Sequence, residues 1–416
     1  MKTPRLTLTL ALAAALLSST AIPATHFGIS VANAADKKDE KKPPSISAKV
    51  AKPLKEVQDL LAKKDYQAAL PKVQEAQALE GKSPYESYVT EEMAGIVYVN
   101  LQDYPNAAKA FEGTVASGQM EADKVGARMK AVASLYYQAK NYPKAAEWAE
   151  KTATETNDAE MLVLAGQSYY LQKQFKPAAD DLRKAIAMTD AKSVVPKEDW
   201  LQVLMSAEFE QQNTPGVEAA LERLVQSYPK PKYWEDLLGI SQRSFKDSAK
   251  YSLDIYRLML VTGAMSKPEE FSEMAEIALK QGQPGEAKVV LEKAAAAGAI
   301  KDQAQKTKID AAAAADQKEL AAGAAAAKAQ KTGDAEVKFG EAYASYGQYD
   351  KAIAAIRNAI SKGVKDKDDA QLRLGQAYLG AGQRQQALDA FKQITPNTPS
   401  AKIARLWELQ SASRQG

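Results

Sequence analysis

Cysteine is absent from this chain of 416 residues, and histidine occurs only once, at His26. Without thiols the chain has no disulfide, no thiolate nucleophile and no cysteine-bound zinc. His26 lies in an N-terminal segment that we expect to be removed, so the mature chain would lack histidine as well. These absences exclude Ser-His-Asp and Cys-His nucleophilic sites and ordinary zinc sites. We therefore expect a protein that is not an enzyme and that uses no metal and no cofactor.

Long hydrophobic runs are also scarce, and the one near the N-terminus is short. It spans residues 6–17 (LTLTLALAAALL), follows two basic residues and precedes Ala-Asn-Ala at residues 32–34. This order is typical of a secretory signal peptide. Residues 1–34 are therefore predicted to be removed on export, and the protein is predicted to be periplasmic in a Gram-negative bacterium. An uncleaved membrane anchor is the alternative, but the run is shorter than the ~20 apolar residues that span a bilayer.

An excess of charge of one sign is missing too. Lys and Arg number 55, Asp and Glu number 52, and the net charge of +3 falls to +1 without the two basic residues of the signal peptide. A mixed surface predicts no nucleic acid and no membrane surface as partner, and no later run predicts membrane insertion of the mature chain. Residues 35–53 (ADKKDEKKPPSISAKVAKP) are charged and contain proline, which predicts a flexible linker, with a docking arm as the alternative.

What the chain does contain is a repeated pattern. Residues 340–359 (GEAYASYGQYDKAIAAIRNA) are followed, 35 residues after their start, by a second copy at residues 375–394 (GQAYLGAGQRQQALDAFKQI). The same template of small, aromatic and bulky positions recurs back to about residue 54. These weaker copies carry Gly95, Tyr98, Ala107 and Phe111, then Ala133, Tyr136 and Ala145, then Gly166, Tyr169, Ala178 and Leu182. A period in the thirties with helical spacing predicts stacked helix–turn–helix units.

At these positions the chain resembles the tetratricopeptide repeat (TPR) family, whose unit is a helix–turn–helix of about 34 residues. The resemblance implies an all-α fold, a right-handed superhelical solenoid of about nine to ten TPR-like repeats with a C-terminal capping helix. The predicted segments after the linker are TPR-like repeats at 54–299, an alanine-rich helical pair at 300–333, two strong repeats at 334–399 and the capping helix at 400–416. The alanine-rich segment is expected to form two thin helices, since it has high helix propensity but no aromatic anchor.

Each slot of the repeat has a packing role. The small residue is expected to let the second helix of its hairpin approach closely, and the tyrosine three positions later to fill the space between neighbouring hairpins. The bulky residue at the end of the template is expected to pack onto the next unit. Two helix starts are also predicted: Ser83-Pro84-Tyr85-Glu86 has capping-box spacing with proline at the first helical position, and Asn157 with Glu160 begins another helix.

In such repeats the first helix of each hairpin resembles the wall of a concave groove. Side chains beside the packing tyrosines are therefore candidates for binding a partner. They are Lys130, Ser134 and Tyr137 on one helix, then Val163, Gln167 and Tyr170 on the next. Tyr137 and Tyr170 lie 33 residues apart, about one repeat, so the two rings are placed to stack along a bound peptide. The alternative is that both rings only add to packing between repeats.

The function implied by the resemblance is a non-catalytic scaffold that binds other cell-envelope proteins. Residues 232–240, 254–265 and 283–300 (KYWEDLLGI, DIYRLMLVTGAM and QPGEAKVVLEKAAAAGAI) are similar to periplasmic repeat proteins that accompany TonB-type complexes. This similarity implies a TonB or ExbB/ExbD partner. A scaffold for peptidoglycan or polysaccharide-export machinery is the alternative. An enzyme that uses carboxylates alone stays open, and a small-molecule carrier is disfavoured because a repeat array offers a long groove rather than one closed pocket.

Overall fold

The computed structural model describes residues 45–245, 248–298 and 303–413. The predicted signal peptide and the first part of the predicted linker lie outside these residues. Within them the chain is all-α and has no β-strand, and no helix there has the length and apolar character needed to cross a membrane. The chain divides into two compact units, unit 1 (Met1–Thr214) and unit 2 (Pro215–Gly416), and each is described by itself.

Unit 1 is a stack of helical hairpins. Its helices are α1 (Ala48–Ala62), α2 (Tyr66–Ala78), α3 (Pro84–Asn100), α4 (Tyr104–Ala116), α5 (Ala122–Gln138), α6 (Tyr142–Thr156), α7 (Ala159–Leu171), α8 (Phe175–Ala191) and α9 (Glu198–Glu210). Each odd-numbered helix up to α7 pairs with the helix that follows it, and each pair packs on the next. The predicted boundary of the linker at residue 53 is wrong, because α1 begins at Ala48 and buries Val50 and Pro53.

Unit 2 contains hairpins of the same kind together with unpaired helices. Its helices are α10 (Thr214–Ser227), which begins at the junction of the units, α11 (Pro231–Ser244), α12 (Ala249–Thr262), α13 (Pro268–Lys280), α14 (Pro284–Ala296), α15 (Gln303–Lys328), α16 (Asp334–Ser345), α17 (Tyr349–Lys362), α18 (Lys367–Gly380), α19 (Arg384–Phe391) and α20 (Pro399–Ser413). Helices α13 and α14, α16 and α17, and α18 and α19 form hairpins, and α11 packs on α12. The last helix, α20, packs on α12 as well as on α18 and α19.

The alanine-rich segment forms one helix of 26 residues, α15, and not the two helices predicted from the sequence. It lies between α14 and α16 and packs on both. Gly323 sits inside the helix, where a Cβ would clash with the ring of Phe339 on α16. The glycine therefore permits close packing and does not make a turn. Strong helix propensity over the whole segment favours a single helix, because no other residue in it interrupts the pattern.

The small and bulky slots of the repeat face each other within one hairpin. A Cβ added at the glycine would clash with the bulky side chain of the second helix in every pair. The pairs are Gly95 with Phe111, Gly166 with Leu182, Gly340 with Ile356 and Gly375 with Phe391. The bulky residue thus covers the glycine of its own hairpin, which differs from the expectation that it packs on the next unit. The next unit adds to this contact in one case, where Arg128 lies over the Phe111 ring at 3.9 Å.

The tyrosine slot joins neighbouring hairpins. In three cases the hydroxyl donates a hydrogen bond to the second helix of the preceding hairpin. Tyr98 donates to Gln77 Oε1 (3.3 Å), Tyr136 donates to Glu112 Oε2, and Tyr169 donates to Glu150 Oε1 (3.1 Å). These tyrosines therefore pack between hairpins and are held there by a hydrogen bond, so they are not free to bind a partner.

Helix starts follow local capping chemistry. Glu86 N donates to Ser83 Oγ (3.2 Å) and Ser83 N donates to Glu86 Oε2 (2.7 Å), so the capping box predicted before α3 is confirmed. The start predicted at Asn157 is wrong by one residue. Asn157 ends α6 in the left-handed region (φ 50°), and Asp158 caps α7 by accepting from Glu160 N at 2.8 Å. Both residues are good caps, and asparagine tolerates the left-handed conformation that the turn requires.

Candidate functional site

The predicted groove residues lie on α5 and α7, two successive first helices of unit 1. We call the side lined by such helices the first-helix side; it is formed by α1, α3, α5, α7 and α9 in unit 1. Lys130, Tyr137 and Tyr170 are half-buried, whereas Ser134 and Gln167 are each only 6% exposed. Ser134 and Gln167 therefore offer little surface to a partner, and most of the accessible area belongs to the lysine and the two rings.

Lys130 on α5 forms an ion pair with the residue that caps α7, the first helix of the next hairpin. Its Nζ forms this ion pair with Asp158, and its carbonyl accepts from Ser134 Oγ at 2.9 Å. The ion pair of Lys130 thus helps to fix α5 against α7, whereas the Ser134 hydrogen bond lies within α5. The ammonium group keeps partial contact with solvent, since the Lys130 side chain is 42% exposed.

The two candidate tyrosines pack against aromatic residues that begin the second helix of their own hairpins. Tyr137 meets Tyr142 edge-on with ring centroids 5.6 Å apart, and Tyr170 meets Phe175 in the same way at 5.5 Å. Burial raises the pKa of Tyr137 to about 12, with a smaller effect of Tyr142, and its buried hydroxyl has no hydrogen-bond partner within the described part of the chain. Burial also raises the pKa of Tyr170, and the Glu210 charge adds to this. Each ring is therefore packed at one edge and partly exposed to solvent elsewhere.

One residue of this surface was missed by the sequence reasoning. Phe209 on α9 is 51% exposed, an unusual exposure for phenylalanine. It directly follows Glu208, just as Tyr137 and Tyr170 directly follow the packing tyrosines of their hairpins. The spacing of the repeat indicates this position, but Glu208 replaces the tyrosine by which the slot is recognised in the other hairpins. Glu208 is buried there, paired with Arg183 and accepting from Asn213 Nδ2 at 2.6 Å.

Tyr137, Tyr170 and Phe209 therefore occupy one register position on three successive first helices. We call these three residues the aromatic column. A column of this kind supplies large, stiff apolar surfaces at low cost in side-chain entropy, which is why aromatic residues are enriched at the energetic centres of protein interfaces. The geometry suits the binding of a protein segment, and it presents no nucleophile or base.

The first-helix side of unit 2 is different. Glu341 and Gln376 directly follow Gly340 and Gly375, which is the position of Ser134 and Gln167 in unit 1. Here the two side chains contact groups that bind α12. Gln376 Nε2 donates to Asp254 Oδ1 (3.0 Å), and Glu341 Oε1 lies 3.0 Å from Arg373 Nε, while Arg373 itself pairs with Asp254. A helix of the same chain thus covers this side of unit 2.

Metal-binding clusters and surface clefts are the remaining candidate features of the described residues. Among the residues described by the structure, no group of His, Cys, Asp or Glu is arranged to hold a metal ion. Two surface clefts of about 670 and 450 Å³ lie in unit 1, one beside Glu91 on α3 and the other beside Trp200 on α9. Neither is lined by a member of the aromatic column.

Comparisons with known proteins support the repeats. Tetratricopeptide repeat models match residues 92–160 and residues 343–412, one stretch in each unit. Together with the packed helical hairpins, these matches identify tetratricopeptide repeats in the chain, and such repeats are generally parts of non-catalytic scaffolds that bind other proteins. A search of curated proteins found no match.

Several solved structures are similar in fold. MamA 41-end from Desulfovibrio magneticus RS-1 is 19% identical, covers 43% of this chain and 92% of its own, and has a TM-score of 0.30. A tetratricopeptide repeat protein from Parabacteroides merdae ATCC 43184 is 13% identical over 79% of this chain and 98% of its own, with a TM-score of 0.31. The C-terminal part of a TPR repeat-containing protein from Cytophaga hutchinsonii has the same identity and coverages and a TM-score of 0.34. Because these TM-scores lie below 0.5, nothing further is concluded from the matches.

Proposed function

We propose that this protein is an exported, non-catalytic scaffold that binds a cell-envelope protein through the first-helix side of unit 1. One observation carries the proposal. The aromatic column of unit 1 is partly open and ends in the half-exposed ring of Phe209, whereas the corresponding side of unit 2 is covered by α12.

The mechanism is burial of a partner segment across three successive hairpins. Phe209 contributes the largest newly buried apolar area, and Tyr137 and Tyr170 add ring edges that packing already holds in place. Because these two rings lose little conformational freedom on binding, the cost of ordering them is small. The ammonium of Lys130, beside the column, favours a carbonyl or carboxylate on the partner.

The cellular location rests on the sequence. A basic start, a short apolar run and a small-x-small site over residues 1–34 support export, and the absence of cysteine excludes anchoring through a lipid-modified cysteine. We place the mature chain in the periplasm. The similarity of residues 232–240, 254–265 and 283–300 to proteins that accompany TonB-type complexes favours a TonB or ExbB/ExbD partner, and an envelope-biogenesis partner is the second candidate.

The binding surface is tested by affinity capture from periplasmic and membrane extracts with the tagged mature chain. Phe209→Asp places a charge on the column without disturbing a buried side chain. Val289→Asp is the matched control, because Val289 is a 40% exposed apolar residue on α14 of unit 2. We expect the wild type and Val289→Asp to recover the same protein and Phe209→Asp to lose it by at least tenfold. Equal recovery by both variants would remove the column as the binding site.

The identity of the captured protein separates the two partner classes. TonB-system components support the first, and peptidoglycan or polysaccharide-export proteins support the second. Export is tested independently by cell fractionation and N-terminal sequencing. We expect the mature chain to begin at Ala35 in the periplasmic fraction; a chain that keeps residues 1–34 in the membrane would contradict export as a soluble protein.

A further inference from the structure

Helix α12 is enclosed by the rest of unit 2. Five consecutive residues are buried, namely Ser252, Leu253, Asp254, Ile255 and Tyr256. Because a helix turns once in 3.6 residues, a run of five covers the full circumference. First helices of the hairpins such as α7 and α18 have buried runs of similar length, so α12 is set apart by the helices that surround it. The first helix of the hairpin, α11, and helices α13 and α20 pack against α12, and side chains of α14 and α18 also reach it.

The polar contacts of α12 begin with Asp254, which is completely buried. Arg373 on α18 donates to both of its carboxylate oxygens, with Nη2 to Oδ2 at 3.0 Å and Nη1 to Oδ1. Gln376 Nε2, one turn further along α18, donates to Oδ1 at 3.0 Å. Arg373 is itself only 4% exposed. Two-pronged pairing of this kind fixes distance and orientation together.

A second group on α12 contacts another hairpin. Arg257, one turn after Asp254, donates through Nε and Nη2 to the two oxygens of Glu286 on α14, each at 2.7 Å. Its Nη2 also donates to Gln283 Oε1 (2.6 Å), and its Nη1 donates to Asp254 Oδ1 (2.9 Å). Asp254 and Arg257 therefore match complementary groups on two separate hairpins of unit 2.

Four further charged residues complete the contact. Glu341 Oε1 on α16 lies 3.0 Å from Arg373 Nε and accepts from Gln283 Nε2 at 3.2 Å. Lys250, at the start of α12, lies 3.1 Å from Asp366 and 3.0 Å from Asp369 at the start of α18. Each of the three hairpins thus supplies a charged or amide side chain, and Glu341 and Gln376 do so from the positions that Ser134 and Gln167 occupy in the repeats of unit 1.

We propose that α12 is an internal ligand of the hairpins formed by α13 to α19. In this view the first-helix side of unit 2 is a recognition surface for a helix that carries a carboxylate and a guanidinium three residues apart, and α12 keeps that surface closed to other proteins. The inference does not depend on the aromatic column, which lies in unit 1.

The polar groups decide which helix fits. Buried leucine and isoleucine side chains such as Leu253 and Ile255 favour the docking of almost any apolar helix, since burial of apolar area is not directional. A helix without the carboxylate would deprive the buried Arg373 of the two-pronged partner that Asp254 supplies, and only Glu341 and Asp369 would remain beside it, which is unfavourable for a buried guanidinium. A helix shifted by one residue would have the same defect, so the ion pairs specify the sequence and the register.

The docking of α12 is tested with a single introduced thiol, which is unambiguous because the chain has no cysteine. Ser252→Cys places the thiol on the buried part of α12, and Ala359→Cys places a reference thiol in the core of α17. The rate of maleimide labelling is then measured with Arg373→Gln added. Arg405→Gln is the matched control, because Arg405 forms an exposed ion pair with Glu222 in the same unit.

We expect Arg373→Gln to speed labelling of Cys at position 252 at least tenfold while the reference thiol at position 359 stays protected. Arg405→Gln should change neither rate. If Arg373→Gln leaves position 252 protected, apolar packing alone holds α12 and the proposal fails. If both thiols are exposed together, α12 is an inseparable part of the core, and the proposal is likewise overturned.

Recognition is tested with a fluorescent peptide of residues 249–262 as the probe. We expect no binding to the wild-type protein, whose own α12 fills the surface. The Asp254→Asn protein, whose own α12 is weakened, should bind the wild-type peptide at least tenfold more tightly than a peptide carrying the same Asp254→Asn change. Equal affinity for the two peptides, or no binding of either one, would contradict a surface that recognises the carboxylate.

Discussion

Arg373 on α18 holds both carboxylate oxygens of Asp254 on α12, although the two residues are 119 positions apart in the chain. Burial opposes ionisation of Asp254, but the charges of Arg373 and Arg257 outweigh it and lower the pKa of the carboxyl group. Burial has the opposite outcome at Glu341, whose pKa is raised in spite of the same two arginines. Asp254 accepts hydrogen bonds from Arg257, Arg373 and Gln376, whereas the pKa of Glu341 is also raised by the negative charges of Asp369 and Asp254.

The first prediction concerns the stability of unit 2. Arg373→Met should lower the free energy of unfolding by about 3–5 kcal/mol, because it leaves Asp254 buried without its main partner. Arg405→Met, which breaks an exposed ion pair with Glu222, should cost less than about 1 kcal/mol. Urea denaturation followed by circular dichroism compares the two. Similar losses for both variants would show that the buried ion pair contributes no more to the free energy of unfolding than the exposed one.

The second prediction concerns acid stability of unit 1. Glu86 accepts from Ser47 N (2.7 Å) and from Ser83 N (2.7 Å), and although burial opposes it, these bonds lower the pKa of Glu86 to about 2. A pKa below the unfolded value of about 4.3 means that the stabilisation is complete above that pH and is lost as the pH falls towards 2. We expect a loss on the order of 1–2 kcal/mol between pH 5 and pH 2.

The control for this acid dependence is Glu86→Gln, which cannot ionise. Urea denaturation at a series of pH values should show a shallower decline for the variant than for the wild type between pH 5 and pH 2. Parallel declines would assign the acid sensitivity to other carboxylates.

The third prediction compares two glycines within helices. A Cβ at Gly375 would clash with the Phe391 ring, so Gly375→Ala should cost about 1–3 kcal/mol through overpacking. At Gly113 on α4 the nearest atom is Glu91 Cγ at 3.4 Å, an ordinary contact. Gly113→Ala should therefore be neutral or stabilise the protein by up to about 1 kcal/mol, since alanine is the better helix former. Thermal unfolding of both variants decides the matter, and equal effects would refute the packing role of Gly375.

The fourth prediction tests the hydrogen bond that the tyrosine of the repeat donates to the preceding hairpin. Tyr169→Phe removes the hydroxyl that donates to Glu150 and should lower the free energy of unfolding by about 1 kcal/mol. Tyr378→Phe is the control in the same slot of the last hairpin, because the Tyr378 hydroxyl forms no hydrogen bond within the part of the chain that the structure describes. We expect no measurable loss there. A loss as large as that of Tyr169→Phe would mean that the ring, and not the hydrogen bond, is what the slot requires.

Much of the candidate site followed from the register of the repeat. Once Gly166 and Tyr169 were aligned with their counterparts, Tyr170 was placed beside a packing residue, where it is half-buried. Lys130 and Ser134 were placed on the correct helix, but their ion pair and hydrogen bond depend on Asp158 and on burial, which the pattern does not contain. Phe209 was not predicted, because the preceding residue is Glu208, which forms a buried ion pair, and not the tyrosine that marks this position in the other hairpins.

The sequence by itself determined the hairpins, since small, aromatic and bulky residues at fixed local spacing permit close helix pairs and little else. It also determined that residues 35–416 contain no thiol and no imidazole. Only the tertiary structure decided that α15 is one helix packed through Gly323, and that α12 is enclosed by unit 2. The physical reason is the separation in sequence of the residues that make contact. A repeat pattern reports contacts within one or two hairpins, whereas the pairing of Asp254 with Arg373 depends on where distant helices meet.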